Sequence, residues 1–391
     1  MRECNRIFRD VASRLDNFVR NIGKGKVVQK FLKDFLGGLL CNRNVLLSEI
    51  SRGNKKDVLL KKQIERLGNR LASFSYKEVL EKYHVLIKDE INERTIFCID
   101  NTDIIKPHGT KFEHLSFVRD GSTGRIEKGY EVMDITALSH NHRQPIPIYS
   151  FPFAYNDKNY QSNNCETERG LDLIRQSFGP IGIKVFDRGY DDCKLMRSLS
   201  FHNEKFIIRA KENRHVVHQG TSIPIKDLIS QKNSAKYSYY TRRDKKCFVT
   251  FKKYPISIDN ISLNLITVAG FGEKPLLLYT NLDLDKELEF VVTKVYILRW
   301  KIEEKFKFEK QTFHIENFRV RKLAAIRALV MLTSILCGFI SIMCEHQKHK
   351  LFRNLFRISQ TLTKKQRKNH LFLYSITRAV SDLYKVYFSS G

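Results

Sequence analysis

Between residues 95 and 210, short apolar runs of strand length alternate with segments of helical period, and this alternation narrows the fold to a layered α/β sheet. The runs are TIFCID (95–100), GYEVMDITALSH (129–140), PIPIYSFPFAY (145–155), IGIKVFD (181–187) and KFIIRA (205–210). Helical segments are predicted over Glu166 to Gln176 and from about Tyr190 to Leu199. The expected order is three strands, helix, strand, helix, strand. In sheets of this kind functional side chains gather at strand ends.

The flanking sequence differs in character. Residues 1–92 read as a basic helical domain, with apolar residues at helical spacing in VASRLDNFVRNI and KEVLEKYHVLIKDEI. Up to Glu90, 20 Lys/Arg stand against 11 Asp/Glu. Residues 213–285 are polar and strand-like, as in CFVTFKKY and LNLITVAGF, and are predicted to form a β-rich insertion that splits the α/β domain into 93–212 and 286–345. Helical signal resumes at about Lys286 and runs to Gln311, and residues 346–391 form a basic tail expected to be helical. Ala328 to Cys344 is 17 residues without a charge, close to the lower limit for crossing a bilayer. A helix buried against a sheet explains it as well, and that is the expectation here.

Charge bounds the partner. With 69 Lys/Arg against 42 Asp/Glu, the formal net charge is +27, and the excess is spread along the whole chain. A polyanion, nucleic acid above all, is the natural partner. The eight cysteines, Cys4, Cys41, Cys98, Cys165, Cys193, Cys247, Cys337 and Cys344, form no CxxC pair and lie at no zinc spacing with histidine. They read as reduced, mostly buried thiols. The first residues lack the apolar segment of a signal peptide, so a cytoplasmic protein that does not engage membranes is expected.

Asp100 closes the run TIFCI and Asp187 closes IGIKVF, which would bring two acids to the carboxyl ends of core strands. A strand-terminal Asp commonly forms a turn or caps a helix, so neither acid identifies a site by itself. The segment YILRWKIEEKFKFEK adds a third element. At about 100° per residue, Tyr296, Arg299, Glu303 and Lys310 project from one helical face within roughly 60°, while Glu304 falls off its centre. An ordinary salt-bridged surface would show Glu303 paired with Arg299 or Lys307 at four-residue spacing. The same face would also suit a cation and the phosphates around it. Trp300 lies on the flank of that face, where a lone tryptophan more often belongs to a core.

Tyr-x2-Arg-x3-Glu-x6-Lys stands unbroken as Tyr296, Arg299, Glu303 and Lys310. Together with IDNTD around Asp100, FDRGYD around Asp187 and FIIRAKENR after the next strand, it resembles the bacterial insertion-sequence transposases with a ribonuclease-H-like catalytic domain and the Tyr-Arg-Glu-Lys signature. The resemblance covers about residues 93–345. It implies a mixed sheet of ribonuclease-H-like type with flanking helices, interrupted by the β-rich insertion and preceded by the helical domain.

It also implies a catalytic triad of Asp100, Asp187 and Glu303 holding two Mg2+ ions, with Mn2+ as a substitute. One ion would activate the attacking oxygen and the other neutralise the leaving 3′-oxygen. Tyr296, Arg299, Lys310 and Arg188 would position phosphates. The implied partners are double-stranded DNA, as transposon terminal inverted repeats and target, and a second copy of the chain on the paired ends. The N-terminal helices would bind those ends by analogy. Asp103, three residues past Asp100, competes for the first position, and the strand-end argument favours Asp100. A related nuclease without strand transfer, and a DNA-binding protein that has lost catalysis, remain the alternative readings.

Overall fold

In the computed structural model of the chain the described residues are 2–54, 58–138, 144–230, 235–242, 245–270, 272–283, 288–345, 355 and 372–389. Most of the expected basic tail, including TKKQRKNH, lies outside them. The fold is mixed α/β, and the chain forms two compact units, each built from separated stretches of sequence. Strand β1 (Ile96–Ile105) contributes to both, with residues up to Asp100 in one unit and residues from Asn101 in the other.

The first unit comprises Ile91–Asp100 and Leu171–Ile302. Its centre is parallel: β1 runs beside β5 (Ile183–Phe186), and β5 beside β6 (Lys205–Arg209). These strands are short apolar runs of the kind buried on both faces of a parallel sheet, and Phe97, Ile99, Val185, Phe186, Phe206, Ile207 and Ile208 are fully buried. Helix α6 (Asn163–Phe178) precedes β5 in the chain, and helix α7 (Cys193–Phe201) connects β5 to β6.

Beyond β6 the sheet turns antiparallel through β12 (Leu276–Thr280), β11 (Ile261–Ala269) and β10 (Lys245–Ile258). β7 (His215–His218), β8 (Thr221–Pro224) and β9 (Lys236–Arg242) complete it, with the short helix α8 (Ile225–Ser230) after β8. The segment expected to be a β-rich insertion is therefore continuous with the parallel strands, because β12 pairs directly with β6. One buried cluster ties the centre together. Glu204 takes Lys184 of β5 at 3.0 Å and Arg175 at 2.7 Å, so two cations stand on a single fully buried carboxylate.

The second unit comprises residues 1–90, 101–170 and 303–391. Strand β3 (Ile126–Leu138) pairs antiparallel with β2 (Ser116–Arg119) along its first part and with β4 (Pro145–Phe153) along its last. β2 was not expected from sequence; four residues alternating buried and exposed are too short to stand out beside the turn RDGSTG.

The helices of this unit are α1 (Arg2–Ile22), α2 (Gly25–Asn42), α3 (Leu47–Arg52), α4 (Leu60–Ser73), α5 (Tyr76–Ile87) and α11 (Leu323–Glu345), and they pack largely on one another. A last helix, α12 (Phe372–Ser389), lies against α1, α2 and α11. Helix α11 carries the long uncharged segment. Leu329, Leu332, Leu336 and Ile340 are fully buried, and the helix packs on β4, α4 and α5. Its apolar surface is spent on the protein's own core, as expected. Gly338 matters there because a Cβ at that position would collide with the Tyr83 hydroxyl, which donates to the Pro147 carbonyl at 2.9 Å.

Candidate active site

The parallel pairing fixes where the two aspartates go. Ile99 pairs with Phe186 and Phe186 with Ile208, and these are the last paired positions along both ladders. The next residue on each strand is Asp100, Asp187 and Arg209. Equivalent positions on neighbouring strands are about 4.8 Å apart and point to the same face. Contrary to expectation, Asp100 does not end its strand, because β1 continues to Ile105. Here the β5 pairing ends while the strand itself goes on, a distinction that apolar patterning does not resolve.

The segment after β5 is held from both sides. Asp187 is extended and precedes a single 3-10 turn, Arg188–Tyr190. Asp191 is buried, accepts the Lys211 amide at 2.7 Å and meets Arg214 Nε at 2.6 Å. Asp192 caps α7 by accepting the amides of Lys194 and Leu195 at 2.8 and 3.1 Å. Every acid of DRGYDD except Asp187 is therefore committed to local structure. Arg188 is exposed.

Two carboxylates at the ends of neighbouring strands repel each other. Cations and a phenol stand on them. Arg299 Nη1 lies 2.7 Å from Asp100 Oδ2, and its side chain is almost buried while that of Asp100 is 22% exposed. The Tyr296 hydroxyl donates to Asp187 Oδ1 at 3.1 Å, and Arg209 Nη1 stands 3.9 Å from the same oxygen. Burial and the Asp187 charge push the Tyr296 phenol up to about 12, so it stays a donor at neutral pH. The Arg299 guanidinium also lies 5.9 Å from the centre of the Tyr296 ring.

Arg209 was missed in the sequence. Its signal is positional, since KFIIR ends at the same register as IKVFD once β5 and β6 are known to pair. Tyr296 and Arg299, read as phosphate-positioning groups, are each only 7% exposed and bond to the carboxylates.

The helix behind the signature is not continuous. Helix α9 (Leu288–Leu298) stops before Arg299, and α10 (Trp300–Phe308) begins after it. At the break, Arg299 donates its amide to Tyr296 O and Ile302 donates to Arg299 O, both at 3.0 Å, so three-residue bonds replace four-residue ones. A π-helical turn, Glu309–Phe313, follows and contains Lys310. A single wheel at constant rotation therefore does not describe Tyr296 to Lys310; neither interruption is signalled by a glycine or proline. Trp300, expected in the core, is 61% exposed.

In the second unit, Lys310 Nζ meets Asp103 Oδ2 at 2.7 Å and Glu316 Oε1 at 3.1 Å. Burial alone would lower the Lys310 pKa, but the Asp103 hydrogen bond and the Glu316 charge raise it overall. Asp103 also accepts the Gly121 amide at 3.1 Å. Asp103 is thus the partner of Lys310, whereas Asp100 is the acid in register with Asp187. Glu303 is half-buried in the first turn of α10.

Among the described residues no three His, Cys, Asp or Glu side chains form a group that could hold a metal ion. The aspartate pair nevertheless suits a hard divalent cation. Both are oxygen donors, both are partly exposed, and Asp100 already binds a cationic group at close range. Cys41, Cys98, Cys165, Cys193 and Cys337 are free thiols.

Comparison with known proteins gives three results. No curated protein matches the chain. Among solved structures, a cryo-EM structure of the piggyBac transposase synaptic complex with hairpin DNA is similar at a TM-score of 0.47 and 10% identity, covering 98% of this chain and 81% of that one. The profile of the transposase DDE domain matches residues 92–337, a span that contains Asp100, Asp187, Glu303 and all four signature residues. That span is more than half of the chain, which therefore belongs to the DDE-domain transposases.

Proposed function

We propose that the protein is the cut-and-paste transposase of a bacterial insertion sequence, acting in the cytoplasm on double-stranded DNA. Its catalytic carboxylates are Asp100, Asp187 and Glu303. The observation that carries this reading is the shared register of Asp100 and Asp187 at the end of the parallel pairing, with Arg299 and Tyr296 already seated on them.

When bound, two divalent cations, Mg2+ or Mn2+, would supply activation of the attacking oxygen and charge neutralisation at the leaving 3′-oxygen. Asp100, Asp187 and Glu303 would be the residues that hold them. Arg299, seated on Asp100 in the DNA-free protein, would bind a DNA phosphate near the cut. Tyr296 would keep Asp187 oriented throughout. Lys310, on its acidic partners, and the exposed Arg188 would contact backbone phosphates near the cut. Hydrolysis at the transposon end frees a 3′-hydroxyl, which then attacks target DNA without a covalent enzyme intermediate. Joining two ends in concert calls for two copies of the chain on the paired terminal repeats.

The test compares wild type with Asp100→Asn, Asp187→Asn and Glu303→Gln on supercoiled plasmid and on transposon-end DNA, with Mg2+, Mn2+ or EDTA. Metal-dependent cutting that disappears in each variant while DNA binding persists supports the triad. Binding with no cutting by wild type under any metal would replace this reading with that of a DNA-binding protein without catalysis. Cutting without joined products would leave a nuclease.

A further inference from the structure

On the face of α10 turned away from Glu303 lies a buried ionic cluster that nothing above uses. Lys305 is two residues past Glu303, roughly 200° around the helix. Its ammonium group is 1% exposed and bonds to Asp134 of β3, to Ser150 Oγ of β4 at 3.0 Å and to Glu309 Oε2 at 3.0 Å. Asp134 also accepts from Ser150 and, at 2.9 Å, from Thr136. Glu309 in turn accepts from Ser334 of α11 at 2.7 Å, and Ser150 meets Ser334 at 2.7 Å. One ammonium group thus binds α10 to two strands and, through Glu309, to the core helix α11.

We propose that Lys305 is a positioning residue that sets the rotation and height of α10, and with them the carboxylate of Glu303. This rests on the assignment of Glu303 to the active site. Stability alone does not account for the cluster, because packed apolar side chains of similar volume commonly match or exceed a buried ion pair. Hydrogen-bonded charges do something an apolar contact does not: they admit few orientations. Apolar neighbours would let the helix turn or slide by a fraction of a turn. The Lys305 bonds to two different strands would not.

Asp134 and Glu309 together carry one more negative charge than Lys305 neutralises. Burial pushes the Glu309 carboxyl above its usual range, against the opposing pull of Lys305. Neutralising Lys305 and Asp134 together removes one positive and one negative charge and leaves the net charge of the cluster unchanged.

The test uses the full-length Lys305→Met/Asp134→Asn variant, with Glu303→Gln and wild type as controls. Mn2+ binding is followed by electron paramagnetic resonance, and nicking of supercoiled plasmid in Mn2+ is resolved into kcat and KM. The expected result is a thermal midpoint near that of wild type, plasmid KM unchanged, and Mn2+ affinity and kcat each reduced about 10- to 100-fold, the range seen when groups supporting metal ligands are removed. A folded double variant with wild-type Mn2+ affinity and kcat would overturn the positioning role while leaving the active-site assignment intact. Wild type that neither binds Mn2+ nor nicks, or Glu303→Gln that nicks normally, would overturn that assignment instead, and the role of Lys305 with it. Should the double variant fail to accumulate, Ser150→Ala removes one bond to Lys305 without stranding a charge. A fall of at least about threefold in Mn2+ affinity is then expected, and no change would overturn the proposal.

Discussion

Arg299 Nη1 stands 2.7 Å from Asp100 Oδ2, so a guanidinium is seated on this carboxylate. Removing it has two separable consequences. In Arg299→Ala the aspartate pair loses its strongest counter-charge, and Mn2+ is expected to bind the DNA-free protein more tightly than it binds wild type. Plasmid nicking is expected to fall by about 100-fold, the scale for losing one preorganised group that stabilises transition-state charge. Titration of Mn2+ without DNA and initial nicking rates check both. Weaker Mn2+ binding in the variant would mean instead that Arg299 orients Asp100 for the metal.

Tyr296 acts on Asp187 through one hydrogen bond, which Tyr296→Phe deletes while keeping the ring. Such a bond contributes about 1 kcal/mol. Expressed only in the transition state, this corresponds to a drop in kcat of about fivefold with KM for DNA unchanged. Steady-state nicking kinetics separate this from a direct phosphate contact, which would raise KM.

His84 should make the helical unit sensitive to acid. It is buried, its Nε2 lies 2.9 Å from the Ile148 carbonyl, and burial lowers its pKa to about 4. Its unfolded-state value is near 6.5, so between those values the unfolded chain binds more protons than the folded one. Stability contributed by neutral His84 is full above about 6.5 and is lost as pH falls toward 4, by on the order of 3 kcal/mol. Thermal midpoints from pH 7 to 4.5 should fall more steeply for wild type than for His84→Gln. Parallel curves would remove His84 as the cause.

Gly338→Ala should lower the melting temperature, because the new methyl meets the Tyr83 hydroxyl inside the packed contact between α11 and α5. Overpacking of this kind costs about 1–3 kcal/mol. Tyr83→Phe deletes the hydroxyl, so the double variant should lose less than the two single losses added together. Strict additivity of the midpoints would show that the collision is relieved elsewhere.

Several features were legible in the sequence. Asp100 and Asp187 each close an apolar run, and the runs alternate with helical segments, so a layered α/β sheet followed from local patterning. The uncharged segment of α11 was read correctly as core, since β4 and the helices supply its apolar partners. Trp300 was misread: a wheel places it beside the signature face but carries no information about what covers it. Arg209 escaped notice because its position beside Asp187 exists only through pairing between residues 22 apart in the chain.

The sequence by itself determined the elements and the chemical types. Strand-length apolar runs, helical periods, the acids that close them, the Tyr-Arg-Glu-Lys spacing and the net charge of +27 are all local or additive properties of the chain. Tertiary structure alone decided which charges meet. Asp100 falls in register with Asp187, whereas Asp103 pairs with Lys310. Lys305, which no motif singles out, is buried among Asp134, Ser150 and Glu309. The physical reason is that a charge can be buried only where partners from distant segments converge to bind it, and no local pattern encodes that convergence.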